Sequence, residues 1–188
     1  MSRQPPPRQR LVDAAVAHGA RHGLSDTSLR QLAAALGTSH RMLIHHFGSK
    51  AGLLLEVVRA VEARQREALT RLLAAPGADD DEEVGRRFWA GLNDPELEGH
   101  ERLFFEVYGQ ALQGREWATP LLDGVVDDWV DAIAERLVDR GRDPEEARVD
   151  ARLGVAVTRG LLLDVLATGD RAAVDAAQER FLRLLAAG

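Results

Sequence analysis

Two short predicted helices, separated by one tight turn, constrain the fold of this chain more than any other feature. The first begins at Thr27 or Ser28, since either hydroxyl can accept a hydrogen bond from an unpaired backbone N–H. Ser28 also has the spacing of a capping box with Gln31. Gly37 ends this helix, and Ser39 opens the next one only two residues later. This pattern predicts a helix-turn-helix motif.

The second of these helices has one face for the protein core and one for a partner. Leu43 and Phe47 are four residues apart, so we expect both to face the interior. The residues that then project outward are His40, Arg41, Ile44 and His45, with Met42 at the margin. Hydrogen-bonding and apolar side chains together are what reading DNA base edges requires, because arginine can bond guanine and an aliphatic chain can contact a thymine methyl group.

Helical periodicity dominates the rest of the chain and strand signals are nearly absent, so the sequence predicts an all-α fold. Three consecutive prolines make residues 1–7 a predicted flexible arm. The predicted helices run from about residue 7 to Gly23, from Thr27 or Ser28 to Gly37, over 39–47, from Ser49 to Pro76 and Gly77, and over 82–92, 95–113, 120–140, 144–167 and 170–187.

Composition excludes several classes of protein. The 188 residues contain no cysteine, which excludes disulfide scaffolds and cysteine-ligated zinc sites. The apolar runs are too short for a membrane span, and no signal peptide precedes the first charged residues, so we expect a cytoplasmic location. No Glu-x-x-His pair, phosphate-binding glycine loop or nucleophile elbow occurs, so we expect no enzyme and no cofactor.

The net charge of −6 is distributed unevenly along the chain. Residues 1–60 carry eight Lys or Arg against three Asp or Glu, and the remaining residues carry 16 against 27. This asymmetry favours an N-terminal segment that binds a polyanion. The same excess of arginine also fits a GC-rich coding bias, so charge alone leaves nucleic-acid binding open.

Residues 27–54 resemble the DNA-binding domain of TetR-family transcriptional repressors. The family signature is a glycine turn, a Ser-x-x-x-Leu-Tyr-x-His-Phe helix, and a Gly-Ser-Lys stretch that leads into Leu-Leu. The matching residues are Gly37, Ser39, Leu43, His46, Phe47, Ser49, Lys50, Leu53 and Leu54. The resemblance is densest over residues 8–58, and residues 158–170 are similar to the penultimate helix and following turn of many members.

The resemblance implies a division of the chain and a function. Residues 8–54 are expected to form a three-helix DNA-binding domain, and residues 55–188 a helical bundle for ligand binding and dimerisation. The implied function is that of a sequence-specific regulator of transcription, a repressor that a small apolar or amphipathic molecule releases from a palindromic operator. A non-specific architectural DNA-binding protein is the alternative.

The resemblance also implies roles for individual residues. Phosphate contacts are assigned to Thr27 or Ser28, His46 and Lys50, and base contacts to Arg30, His40, Arg41, Ile44 and His45, with Ser39 and Met42 completing the predicted DNA-binding set. Ile44 stands where the family usually has tyrosine, and Arg41 where a small residue is usual. These departures put the operator sequence in doubt. The histidines lack carboxylates at matching spacing, so no metal site is predicted.

Seven of the nine aromatic residues lie between residues 88 and 129, on three predicted helices. They can line a ligand pocket or simply fill the core. The resemblance favours a pocket, whose candidate lining is Phe88, Trp89, His100, Phe104, Phe105, Tyr108, Leu112, Trp117, Leu121, Val125, Trp129 and Thr158. The last two predicted helices have wide apolar faces, which consist of Leu153, Val157, Leu161, Leu162, Val165 and Leu166 on the first and Val174, Phe181, Leu182 and Leu185 on the second. These faces favour a homodimer through residues 144–187.

Overall fold

The computed structural model describes residues 7–24, 26–75 and 80–186. Within these ranges the chain forms nine α-helices and two short 3-10 turns and no strand, which confirms the all-α prediction. The helices are α1 (Pro7–His22), α2 (Leu29–Ala35), α3 (His40–Phe47), α4 (Lys50–Leu73), α5 (Asp81–Leu92), α6 (Glu98–Leu112), α7 (Asp127–Asp139), α8 (Pro144–Thr168) and α9 (Arg171–Ala186). Residues 1–6 of the predicted arm, the stop signals Pro76 and Gly77, and Ala187 lie outside the described residues.

The predicted start and stop signals of the helix-turn-helix are confirmed. Ser28 caps α2 in a capping box with Gln31, which decides between the two candidate starts. The Ser39 hydroxyl caps α3 by accepting a hydrogen bond from the backbone N–H of Met42 at 3.2 Å. Gly37 has a φ of +64°, a left-handed conformation that favours glycine and turns the chain sharply between the two helices.

The first compact unit is built from segments 1–64 and 95–123. It contains α1, α2, α3, the first part of α4, and α6. Its core consists of fully buried aliphatic side chains from these helices, among them Val12, Ala15, Leu32, Leu43, Leu53, Val57 and Val107. Packing therefore joins α6 to the N-terminal helices, whereas the division at residue 54 assigned it to the C-terminal domain. That functional division stays a prediction.

Backbone contact and one buried hydrogen bond join α6 to α1. A Cβ added to Gly99 would lie 2.7 Å from the carbonyl oxygen of Gly19, so a larger residue does not fit between the two helices. The next residue, His100, is buried, and its Nε2 donates a hydrogen bond to the carbonyl oxygen of Val16 at 2.7 Å. These two contacts hold the first turn of α6 against the last turns of α1.

The second compact unit is built from segments 65–94 and 124–188. It contains the end of α4 together with α5, α7, α8 and α9. Its buried core includes Leu69, Val84, Trp129, Val130, Ala134, Ala147, Ala151 and Val155. Trp89 of α5 donates from Nε1 to the Asp175 carboxylate of α9 at 2.7 Å, which satisfies the one polar atom of a buried indole.

The helix predicted over residues 120–140 is wrong in its first part. Pro120 lies in a 3-10 turn over Thr119–Leu121, and α7 begins only at Asp127. Gly124 between them has a φ of +73°, which ends helical geometry. The helix predicted from residue 95 likewise begins with a 3-10 turn, Pro95–Leu97, before α6.

Among the described residues, no helix combines the length and the hydropathy that a bilayer crossing requires.

Candidate nucleic-acid interface

The eight residues of α3 divide between core and solvent as predicted. Leu43 has none of its surface exposed and Phe47 has 9%, so the inner face of the helix is anchored in the first compact unit. His40, Arg41 and His45 are exposed. A short helix with two buried anchors presents the remaining side chains on a rigid support.

The order of side chains across the exposed face follows from the helical turn of about 100° per residue. His45 lies opposite the midpoint of the two buried anchors, at the centre of the exposed face. Arg41 lies beside it on one side and Met42 on the other, and Ile44 lies beyond Arg41. From one edge to the other the face therefore presents Ile44, Arg41, His45 and Met42. Both Ile44 and Met42 have 40% of their surface exposed. Met42 was predicted to lie at one margin of the exposed face, and Ile44 lies at the opposite margin.

The arginines of the first compact unit differ in how freely they can bind phosphate or bases. Arg8 pairs with Glu56 of α4 at 2.6 Å, and its guanidinium lies 5.4 Å from the centre of the Phe47 ring. Arg30 and Arg41, in contrast, are exposed and make no ion pair with any other described residue. The arginine side chains available to a polyanion therefore include Arg30 on α2 and Arg41 on α3. Arg8 instead helps to pack α1, α3 and α4 together.

One of the predicted phosphate-contacting residues, Ser28, has a structural role as the cap of α2. The Ser28 hydroxyl accepts from the backbone N–H of Gln31 at 3.3 Å and donates to its side-chain carbonyl at 2.6 Å. Nε2 of His46 is buried and has no hydrogen-bond partner among the described residues. Thr27 is half-buried, and Lys50 is the half-buried first residue of α4. The phosphate roles of all four stay predictions.

The histidines form two close pairs. The rings of His45 and His46 lie 5.0 Å apart, and those of His18 and His22 on α1 lie 4.7 Å apart. Burial, with smaller contributions from the charges of His22 and Arg21, lowers the pKa of His18 below its ordinary value. In the described part of the chain, no group of three or more His, Cys, Asp or Glu side chains is arranged to hold a metal ion.

The candidate pocket residues fall into separate groups. Phe104 stacks on Tyr108 at 5.4 Å and meets Phe105 edge-on at 5.1 Å within the first compact unit. Phe88 contacts Trp129 at 5.6 Å within the second. The predicted convergence of all these aromatic side chains on one pocket stays a prediction.

The remaining pocket candidates differ widely in exposure. Leu112 is 65% exposed, and Leu121 and Val125 are buried. Trp117 and Thr158 are half-buried. Two of these five positions are therefore buried, two are half-buried and one is exposed.

The structure reveals a feature of α8 that the sequence reading only partly identified. One line of exposed residues along this helix is apolar or small throughout: Val149, Leu153, Ala156, Gly160, Leu163 and Ala167. We call this line the α8 stripe. The prediction named Leu153 but otherwise chose side chains that are buried or half-buried, such as Leu162 and Val165. The alternating spacing of four and three residues is the signal that could have identified the stripe.

Comparison with known proteins identifies the family. The model described as bacterial regulatory proteins, tetR family, matches residues 11–57, which extend from α1 through the helix-turn-helix into α4. Residues 11–57 therefore belong to the TetR family. The TetR signature is therefore carried by the segment that contains the exposed face of α3.

Sequence relatives match less than half of this chain. A transcriptional regulator named BetI from Agrobacterium fabrum is 36% identical over 75 residues, which cover 39% of this chain and 36% of the relative. BetI from Yersinia pestis is 34% identical over 77 residues, which cover 41% of this chain and 39% of the relative. The match spans little more than a third of each relative's length.

Solved structures resemble the chain over nearly its whole length. A transcriptional regulator from Rhodococcus sp. Rha1 has a TM-score of 0.75 at 19% identity, and the match covers 96% of both chains. A TetR-family regulator from Cytophaga hutchinsonii has a TM-score of 0.74 at 16% identity, covering 96% of this chain and 93% of that one. At such low identity the likeness shows that the fold is shared.

Proposed function

We propose that this TetR-family protein is a sequence-specific DNA-binding regulator of transcription that acts as a homodimer. The observation that carries the proposal is the division of α3, with Leu43 and Phe47 buried and Arg41 and His45 exposed on a helix of suitable size for the major groove. The relatives named BetI are described as transcriptional regulators of the helix-turn-helix type, which supports the same role.

Each exposed side chain of the interface has a chemical task in this proposal. Arg41 bonds a guanine edge and His45 bonds an adjacent base, while Arg30 and His40 reach further base edges or the flanking backbone. Lys50 lies at the N-terminus of a 24-residue helix, where the backbone N–H groups also attract phosphate. Thr27 offers its hydroxyl to phosphate more readily than Ser28, whose hydroxyl caps α2.

The homodimer is supported by the α8 stripe. A Cβ added to Gly160 would meet no atom within 4 Å, so nothing in its own chain requires a small residue there. Leu153 and Leu163 are 48% and 49% exposed on either side of that glycine. A second copy of the stripe can cover these side chains, and its helix can approach closely at Gly160. Two-fold symmetry then places two α3 helices on one palindrome.

Repression that a small apolar or amphipathic molecule relieves is the finer part of the proposal. The contacting aromatic side chains Phe104, Phe105 and Tyr108 support an apolar binding site. Release requires that the ligand bind a conformation with weaker operator affinity more tightly than the DNA-binding one. A ligand that raises the melting temperature and leaves operator affinity unchanged would contradict this mechanism.

The test of DNA recognition is selection followed by competition. Purified full-length protein is used to select duplexes from a random-sequence pool, and the selected duplex then competes with bulk DNA at fixed salt concentration. A specific regulator binds its site about a thousandfold or more tightly than bulk DNA, and the site is palindromic. Binding that is weak and indifferent to sequence would favour the architectural alternative. Absence of DNA binding would refute both.

A further inference from the structure

Eight large apolar side chains are exposed in the described part of the chain, and two of them lie on α3. These are Met42 and Ile44, and the others are Leu112, Val138, Val149, Leu153, Leu163 and Leu184. Three of the others belong to the α8 stripe. The concentration of two such residues on an eight-residue helix is therefore a feature of the candidate DNA interface itself.

The packing of α3 does not require either of these side chains. Leu43 and Phe47 already anchor the helix, and both are buried. Ile44 and Met42 each have 40% of their surface exposed, so both side chains present apolar surface to any partner that contacts the outer face of α3.

The position of the two residues indicates what that contact is. On the exposed face they flank Arg41 and His45, which are suited to hydrogen bonds with base edges. Among the four bases of DNA, only thymine presents a methyl group in the major groove. This methyl group projects from C5 on the side of the groove nearer its own strand, so the edges of an inserted helix approach it more closely than the centre does.

We propose that Ile44 and Met42 are specificity-determining residues that recognise the 5-methyl groups of thymines flanking the base bound by Arg41. This inference rests on the proposed function, because it needs α3 to lie in the major groove. It adds the chemical class of the operator: each half-site contains thymine on at least one side of a guanine. Phosphate or sugar contacts by the same side chains, or an apolar protein partner, are the competing occupants of this surface.

The test removes single methyl groups from the DNA. In the duplex selected for the wild-type protein, each thymine of one half-site is replaced in turn by deoxyuridine, which pairs with adenine in the same way and lacks only the methyl group. Binding of the full-length protein to each duplex is measured at fixed salt and pH. We expect one or two positions at which affinity falls about fourfold, the value of one buried methyl group.

Protein variants assign each effect to a side chain. Ile44→Ala should bind the unmodified thymine duplex about fourfold or more weakly than the wild type does. Replacing the thymine that Ile44 contacts by deoxyuridine should then cause no further loss of affinity for this variant. Met42→Ala should behave in the same way at a different position. Ile44→Val keeps a branched side chain and should retain most of the sensitivity, which separates lost contact from misfolding. Val138→Ala, at an exposed apolar position on α7, is the matched control and should respond to deoxyuridine as the wild type does.

Three results would overturn the inference. If no deoxyuridine substitution weakens wild-type binding, the thymine methyl groups are not recognised, although the proposed function stands. If both alanine variants lose the same affinity as the wild type at every substituted position, the methyl groups act through other residues or through DNA shape. If the wild-type protein selects no preferred duplex, the proposed function fails and this inference fails with it.

Discussion

The exposed face of α3 and the α8 stripe both leave apolar side chains in solvent, but they differ in what surrounds those side chains. On α3, Ile44 and Met42 flank an arginine and a histidine. Along the α8 stripe every residue is apolar or small, and Gly160 has open space above it. Mixed chemistry suits a charged, patterned duplex, whereas an uninterrupted apolar line suits a second copy of itself. Exposed apolar surface therefore indicates a partner, and its polar neighbours indicate which kind.

The largest effect is expected when the α8 stripe is given a charge. Leu153→Arg should dissociate the dimer, because a buried guanidinium without a partner is costly in an apolar interface. Operator affinity should fall about a hundredfold or more as the two half-sites are no longer bound together. Sedimentation velocity and binding titrations measure both effects.

Val138→Arg is the matched control for this variant. Val138 is 39% exposed on α7 and lies outside the α8 stripe, so the same substitution there should change neither mass nor affinity. A dimeric Leu153→Arg protein with full operator affinity would refute the role of the α8 stripe.

A smaller effect is expected from removing the central arginine of α3. Arg41→Ala should weaken operator binding about tenfold to a hundredfold and relax preference at one base pair, as loss of a bidentate base contact does. The dimer should stay intact. Arg21→Ala removes an exposed arginine from α1 and is the control. Equal losses in the two variants would indicate a general charge effect instead of base reading.

The smallest effect separates a structural hydroxyl from a binding one. Ser28→Ala should cost about 1 kcal/mol of stability and lower the melting temperature by roughly 2–4 °C, because it removes the cap of α2. Thr27→Ala should leave the melting temperature nearly unchanged and weaken DNA binding. Calorimetry and binding titrations on the two variants test this division. The opposite pattern would place the phosphate contact at Ser28.

Local signals made most of the helices predictable from sequence, and the misplaced start of the helix predicted from residue 120 also has a local cause. Ser28, Ser39 and Gly37 act through bonds to residues within a few positions, so their effects are readable along the chain. Gly124 interrupts the helix predicted from residue 120 because its backbone adopts a left-handed conformation, which the apolar periodicity around it conceals.

Contacts between distant segments could not be read in the same way. The attachment of α6 to α1 depends on Gly99 meeting Gly19 across 80 residues of chain, and nothing in either sequence neighbourhood marks the pair. On α3 the short helix has only one arrangement that buries Leu43 and Phe47, so its exposed face was predictable. On α8 the apolar residues surround much of the helix, and only packing decides which of them stay exposed.

Arg8 connects three helices: it belongs to α1, covers the Phe47 ring of α3 and pairs with Glu56 of α4. Rotating α3 about its own axis would break the contact between Arg8 and the Phe47 ring together with the burial of Leu43. The orientation of α3 is thus fixed when the protein folds. The conformational entropy of fixing α3 is therefore lost on folding and not on binding to the operator. When the operator sequence is imperfect, the DNA must therefore bend or change its groove width to fit the rigid α3 helix.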